Sequence, residues 1–122
     1  MLQNSANVVR IYDILLGTFP NNPRDQAIDE LQEALLEEME KSRPEGVILD
    51  ISGVELMDSF FARHISETAQ LVELMGGKTV IAGMRPEVAI TAAELGYGLT
   101  EVETARSTDQ ALEILGVSWD SE

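Results

Sequence analysis

The sequence contains no cysteine. That absence removes disulfides, iron–sulfur clusters, thiolate zinc sites and cysteine nucleophiles together, and it suits a reducing compartment. Histidine is nearly as scarce, since His64 stands alone. A hydrolytic triad needs a histidine placed to relay a proton from the nucleophile. His64 follows Ser59 by five positions, and at about 100° per helical residue that spacing turns the two side chains well apart. It reads as a half-exposed helix residue. No apolar run reaches the ~18 residues of a membrane span, and the first ten residues lack the basic start and apolar stretch of a signal peptide. Basic residues are few as well: 8 face 22 acidic ones, a formal net charge of −14. Such a chain is repelled by phosphate backbones and anionic lipid, which argues against nucleic acid and membrane surfaces as partners. A cytoplasmic protein is the expectation.

What is present is ordinary for a globular fold. The 122 residues are 44% apolar and 25% charged, enough to bury one core without staples. Glycine and proline occur as single punctuation marks, no repeat or linker is visible, and one domain over 1–122 is expected.

Hydrophobic periodicity orders the chain. Val8, Val9, Ile11, Tyr12, Ile14, Leu15, Leu16 and Phe19 are rich in β-branched and aromatic residues and broken at Asp13, so they form a strand pair or one bent strand. Pro20, Asn21, Asn22 and Pro23 make a turn. Across 24–41, Ile28, Leu31, Leu35 and Met39 recur at helical spacing while Asp29, Glu33 and Glu37 line another face. Asn22 is the expected cap, with Asp25 in the acidic first turn. Val47, Ile48, Leu49, Asp50 and Ile51 form a nearly continuous apolar run, the pattern of a central parallel strand covered on both faces. A second helix is expected from about Ser59 to Met75, with Phe61, Ile65, Thr68, Val72 and Met75 on one stripe and Gly76-Gly77 stopping it. Then come a strand at 79–82, a helix opened by Pro86 and ending before Gly96, a weak strand around Val102 and a last short helix through Ala111, Leu112 and Leu115. The result is an α/β fold: a mixed, mostly parallel sheet with an N-terminal hairpin and about four helices.

No phosphate cradle is present, because Gly76-Gly77 precedes a strand where a phosphate loop follows one. A metal site would rest on carboxylates alone, and those of 25–40 read as a solvated helix face, so neither metal nor cofactor is expected. Asp50, at the end of a central strand, resembles the acceptor of a phosphoacceptor receiver domain. Receivers also need an acidic cluster after the first strand and a lysine after the last. Here only Asp13 is available, and Lys78 precedes its strand, so phosphoryl transfer to Asp50 would lack charge neutralisation. Asp50 is expected instead to accept hydrogen bonds from the amides of Ser52 or Gly53.

The informative stretch runs from Asp50 through Asp58, Ser59, Phe60 and Phe61. It leaves a central strand, crosses the carboxyl edge of the sheet and enters a helix at or next to Ser59. A hydroxyl there can be a cap. It can equally accept a phosphoryl group whose charge the first-turn amides partly stabilise. The residues alone leave both open.

Three stretches carry a family likeness: Gly46-Val-Ile-Leu-Asp-Ile-Ser-Gly-Val-Glu-Leu-Met-Asp-Ser-Phe, Val80-Ile-Ala-Gly-Met-Arg-Pro-Glu-Val-Ala-Ile-Thr, and Glu94-Leu-Gly. The chain resembles the STAS family of anti-sigma-factor antagonists and, within it, the RsbS-type scaffold subunit of the bacterial stressosome. The likeness is strong from Gly46 to Gly96 and weak before it. On this resemblance no sensory domain is expected before the STAS pattern, unlike in the larger RsbR-type paralogues.

The resemblance implies a protein that is not an enzyme. It implies phosphorylation of Ser59 by a partner serine kinase of the GHKL ATPase type, release of that kinase, and reset by a phosphatase. It further implies a homodimer within a large assembly that includes RsbR-type STAS subunits. A simpler antagonist binding one anti-sigma kinase is the alternative, and a receiver-like domain using Asp50 is the remoter one. Asp58 beside Ser59, Phe60 as an apolar anchor (with Met57 a second candidate), Arg63 one turn on, and Met84 and Arg85 in the next loop are the expected partner-binding residues.

Overall fold

The computed structural model describes residues 7–117. The expected domain limits of 1 and 122, and most of the N-terminal stretch weighed as a signal, lie outside that range. The first apolar block is a hairpin and not a bent strand. β1 (Asn7–Ile11) pairs antiparallel with β2 (Ile14–Thr18), and the chain reverses at Tyr12 and Asp13. After α1 (Asp25–Ser42), the strands β3 (Gly46–Asp50), β4 (Lys78–Ala82) and β5 (Glu103–Ala105) add in parallel, giving the order β1-β2-β3-β4-β5. The crossovers carry α2 (Ser59–Leu74) and α3 (Pro86–Leu95), the latter followed by a 3-10 turn at Leu99–Glu101; α4 (Thr108–Ile114) closes the fold. The expected mixed sheet with four helices is what forms.

Side chains alternate across each strand, so the sheet divides two cores. On one face Leu15, Val47, Leu49 and Ile81 pack with Ile28, Leu31 and Leu35 of α1 and with Phe61, Ile65 and Val72 of α2. On the other face Ile14, Ile48, Val80 and Ala82 pack with Ala111 and Leu112 of α4. Hence Val47, Ile48 and Leu49 are all fully buried, which is why β3 reads as an unbroken apolar run.

Two expectations about α1 and α2 need correction. The N-cap of α1 is Arg24, not Asn22, and its side chain makes no capping bond. Proline at position 23 sits too early for the N1 role and instead closes the preceding turn. Met75 lies outside the α2 stripe, 46% exposed at the C-cap. In α3, Val88 and Ala92 are buried, Leu95 packs at the core margin, and Ile90 is 63% exposed.

Register places the functional edge. Asp50 lies opposite both Thr18 and Ala82, and Ala82 opposite Ala105, so the carboxyl ends of β2 to β5 line one rim of the sheet. The loops leaving that rim are tightly fitted. Gly83 has φ +80°, and a Cβ built there would stand 2.6 Å from the Ser52 Cβ. Only glycine combines that left-handed backbone with so close an approach. Gly83→Ala is therefore expected to destabilise the protein by about 2–4 kcal/mol, the sum of αL strain and overpacking. Gly76→Ala has positive φ but open space around it, and should cost only about 1–2 kcal/mol. Urea denaturation of both variants measures the difference.

Candidate functional site

The site is built where the loop after β3 meets the start of α2. Asp50 begins it. Its Oδ1 accepts from the Ser52 amide at 3.0 Å, as expected, and turns the chain off the strand. Backbone bonds then stitch this loop to its neighbours: Phe19 N–H donates to the Asp50 carbonyl at 3.2 Å, Glu55 N–H to Asn21 at 3.2 Å, and Ile51 N–H to Ala82 at 3.0 Å. Arg85 adds a side-chain tie, its Nε donating to the Ser52 carbonyl at 3.1 Å. Two buried side chains, Val54 and Met57, anchor the loop from below. A loop held at this many points presents α2 in one orientation.

The cap is Asp58, not Ser59. Its Oδ1 accepts from the Phe61 amide at 2.9 Å, and its backbone is extended, so Ser59 becomes the first helical residue. The capping role left open for Ser59 by the residues alone therefore falls to Asp58. The Ser59 hydroxyl is exposed and enters none of the hydrogen bonds among the described residues. The amides of Ser59 and Phe60, the first two of a 16-residue helix, likewise have no acceptor among the described residues. A free hydroxyl thus stands at the positive end of a helix dipole, with unpaired donors beside it. Asp58→Ala is expected to cost about 0.5–2 kcal/mol through the lost cap, and Ser59→Ala close to nothing. Thermal denaturation of the two variants side by side checks the assignment.

The neighbours fall unevenly. Phe61 is core, 2% exposed, its ring edge-on to Phe19 at 5.0 Å. Phe60 is half-buried and packs against the core margin. The Arg63 guanidinium lies 6.0 Å from the Phe60 ring centroid, at the outer limit of a cation–π contact. Met84 is half-buried against the same core, so of the two loop residues Arg85 is the one engaged with the Ser52 loop. Met57 is not a surface anchor: it is 6% exposed. Leu56 is, at 75% exposed, and with Pro23 and Asn22 it lines a cleft of about 350 Å³ floored by Phe61. In this loop Val54 and Met57, three residues apart, turn in, and Glu55 and Leu56 between them turn out. Sequence reading passed over Leu56.

His64 is also misjudged by sequence alone. Its side chain is only 13% exposed, with Nε2 2.9 Å from Asp29 Oδ1 of α1 and Nδ1 3.0 Å from the Phe60 carbonyl. One turn further along the same seam, Gln32 donates to Thr68 Oγ1 at 3.0 Å. The available signal was the matched spacing, Asp29 to Gln32 on α1 and His64 to Thr68 on α2.

The receiver geometry does not form. Lys78 lies opposite Gly46, at the far end of the strands from Asp50. Asp13 sits in the turn just before Ile14, which is also opposite Gly46, and its carboxylate is paired with Arg10 at 2.8 Å. Four residues of strand, roughly 13 Å, separate both from Asp50. No group of three or more histidines, aspartates and glutamates among the described residues is placed to hold a metal ion.

A five-stranded mixed sheet with an N-terminal hairpin and four helices defines the class of α/β domain. The STAS domain family model matches residues 19–111, and the chain belongs to the STAS family. RsbS of Moorella thermoacetica, in a serine-to-glutamate form, superposes with a TM-score of 0.83 at 30% identity, over 90% of this chain and 93% of that one. A chain from the molecular architecture of the stressosome, a signal integration and transduction hub, gives a TM-score of 0.80 at 31% identity, over 89% of this chain and 95% of that one. Among curated relatives, the RsbT co-antagonist protein RsbRA of Bacillus subtilis (strain 168) is 36% identical over 83 residues. That match covers 68% of this chain but spans only 30% of RsbRA. Among the described residues, no helix is long and apolar enough to cross a membrane.

Proposed function

We propose that this chain is a phosphorylatable scaffold and antagonist in bacterial stress signalling, with Ser59 as its acceptor. The observation that carries the reading is the division of labour at α2: Asp58 caps the helix, which leaves the adjacent Ser59 hydroxyl exposed and unengaged. The relatives named for RsbS, the stressosome and RsbT co-antagonism support the setting. In that setting the chain co-assembles with RsbR-type STAS subunits, pairs as a dimer and works in the cytoplasm.

The unphosphorylated rim holds a serine kinase of the GHKL ATPase type. Ser59 Oγ then attacks the γ-phosphorus of the kinase's ATP, the hydroxyl proton passes to a base on the kinase, and ADP leaves. The chain contributes an acceptor and a surface, and catalysis belongs to the partner. Phosphate adds about −1.5 to −2 of charge at neutral pH. First-turn amides accommodate it without refolding the domain, while Asp58 beside it strengthens the negative field. Charge of that size on a surface that must desolvate to dock drives the kinase off. Phe60, Arg63, Leu56 and Arg85, with Met84 at the margin, form the contact surface, and a phosphatase acting on Ser59 resets it.

The test is mass-spectrometric mapping after incubation with the host kinase and ATP. A single acid-stable phosphate on Ser59 is the expected result, and phosphate elsewhere, or none, refutes the reading.

A further inference from the structure

We infer that Asp29 and His64 are positioning residues for Ser59, acting through Phe60 to fix how the first turn of α2 is presented. The inference rests on the reading of Ser59 as the phosphoryl acceptor. Phe60 directly follows Ser59 and is the half-buried residue nearest the hydroxyl in the chain. Its ring stacks on the His64 imidazole with centroids 4.1 Å apart and planes 29° from parallel. The same imidazole faces the Phe60 carbonyl at 3.0 Å, so one side chain holds both the ring and the backbone of that residue.

His64 is held in turn by Asp29, whose Oδ1 lies 2.9 Å from Nε2 across the seam between α1 and α2. Both atoms facing the ring are acceptors, so the imidazole is the donor in whichever contact its proton serves. Asp29 is the fifth residue of α1 and His64 the sixth of α2, so the clamp joins the two helices near the rim that carries Ser59. Among the described residues the other side-chain hydrogen bond between the two helices, Gln32 to Thr68, lies one turn farther from the rim. A docking surface whose aromatic residue is already fixed loses less freedom on association, and an acceptor held in place meets the donor phosphate more often in line. Asp29 is itself 56% exposed, so a subunit resting on α1 could reach it and alter the presentation of Ser59.

The test measures kinetics of Ser59 phosphorylation by the host GHKL-type kinase with ATP, together with thermal midpoints. His64→Ala and Asp29→Ala are each expected to lower kcat/KM about fivefold, through KM. Asp29→Asn keeps an acceptor for Nε2 and should stay within about twofold of wild type. The double alanine variant should be no worse than either single, since both cut one chain of contacts. Gln32→Ala is the control for a merely structural seam and should leave the kinetics unchanged. The inference is overturned if the alanine variants match wild type, or if Gln32→Ala loses as much as His64→Ala. If the wild-type chain takes no phosphate on Ser59, the acceptor reading fails and this inference falls with it.

Discussion

Ser59→Ala is expected to abolish phosphate incorporation by the partner kinase while leaving the chain's affinity for that kinase undiminished. The loss is total because the substitution removes the oxygen that would form the new bond to phosphorus, and alanine offers no nucleophile in its place. The affinity persists because the Ser59 hydroxyl makes no hydrogen bond among the described residues and the cap belongs to Asp58. Phosphorylated wild type should bind the kinase about 30- to 700-fold more weakly, equivalent to about 2–4 kcal/mol for a charge desolvated on docking. Ser59→Asp should fall between the two states, since a carboxylate carries less charge and fewer acceptor oxygens than phosphate. Titration calorimetry on the four forms measures the series. Equal affinity for wild type and Ser59→Asp would falsify the electrostatic account of release.

The largest expected effect on stability is that of Phe61→Ala, about 3–5 kcal/mol. The side chain is 2% exposed and meets Phe19 edge-on at 5.0 Å, so truncation leaves a cavity between α2 and the end of β2 that neither backbone can close. Against a total of about 5–15 kcal/mol for a domain of this kind, that is a large share. The effect also reaches the site, because the ring lines the cleft beside Leu56. Phe60→Ala, one residue earlier and only half-buried, should cost much less, about 1 kcal/mol. Urea unfolding followed by circular dichroism gives both values, and similar losses for the two would contradict the burial pattern.

Much of this architecture was legible in the residues because burial imposes a period. Ile28, Leu31, Leu35 and Met39 announce α1, and Val47, Ile48 and Leu49 announce a strand covered on both faces. Phase placed Phe61 on the core stripe but left open whether Phe60 is core as well, and the structure puts Phe60 half-buried at the margin. Boundaries were less legible. Asn22 has the better capping chemistry, yet α1 starts after Arg24, because the turn carrying Pro20 and Pro23 fixes where the chain can enter the helix. The break at Asp13 suits a bend as well as a reversal, and the hairpin taken for the fold class is the form that β1 and β2 adopt.

The sequence by itself determined the alternation of strands and helices, the two-sided burial of β3, the absence of thiol and triad chemistry, and a helix beginning at the Asp58–Ser59 pair. These follow from local periodicity and composition, which do not depend on what the chain meets after folding. Tertiary structure alone decided that Asp58 takes the cap and frees Ser59, that Leu56 faces out while Met57 is buried, that Gly83 abuts Ser52, and that Asp29 reaches His64. Each of these turns on a distance between segments far apart in the chain or on the geometry of a turn. A one-dimensional pattern carries no such distances until the sheet has set its register.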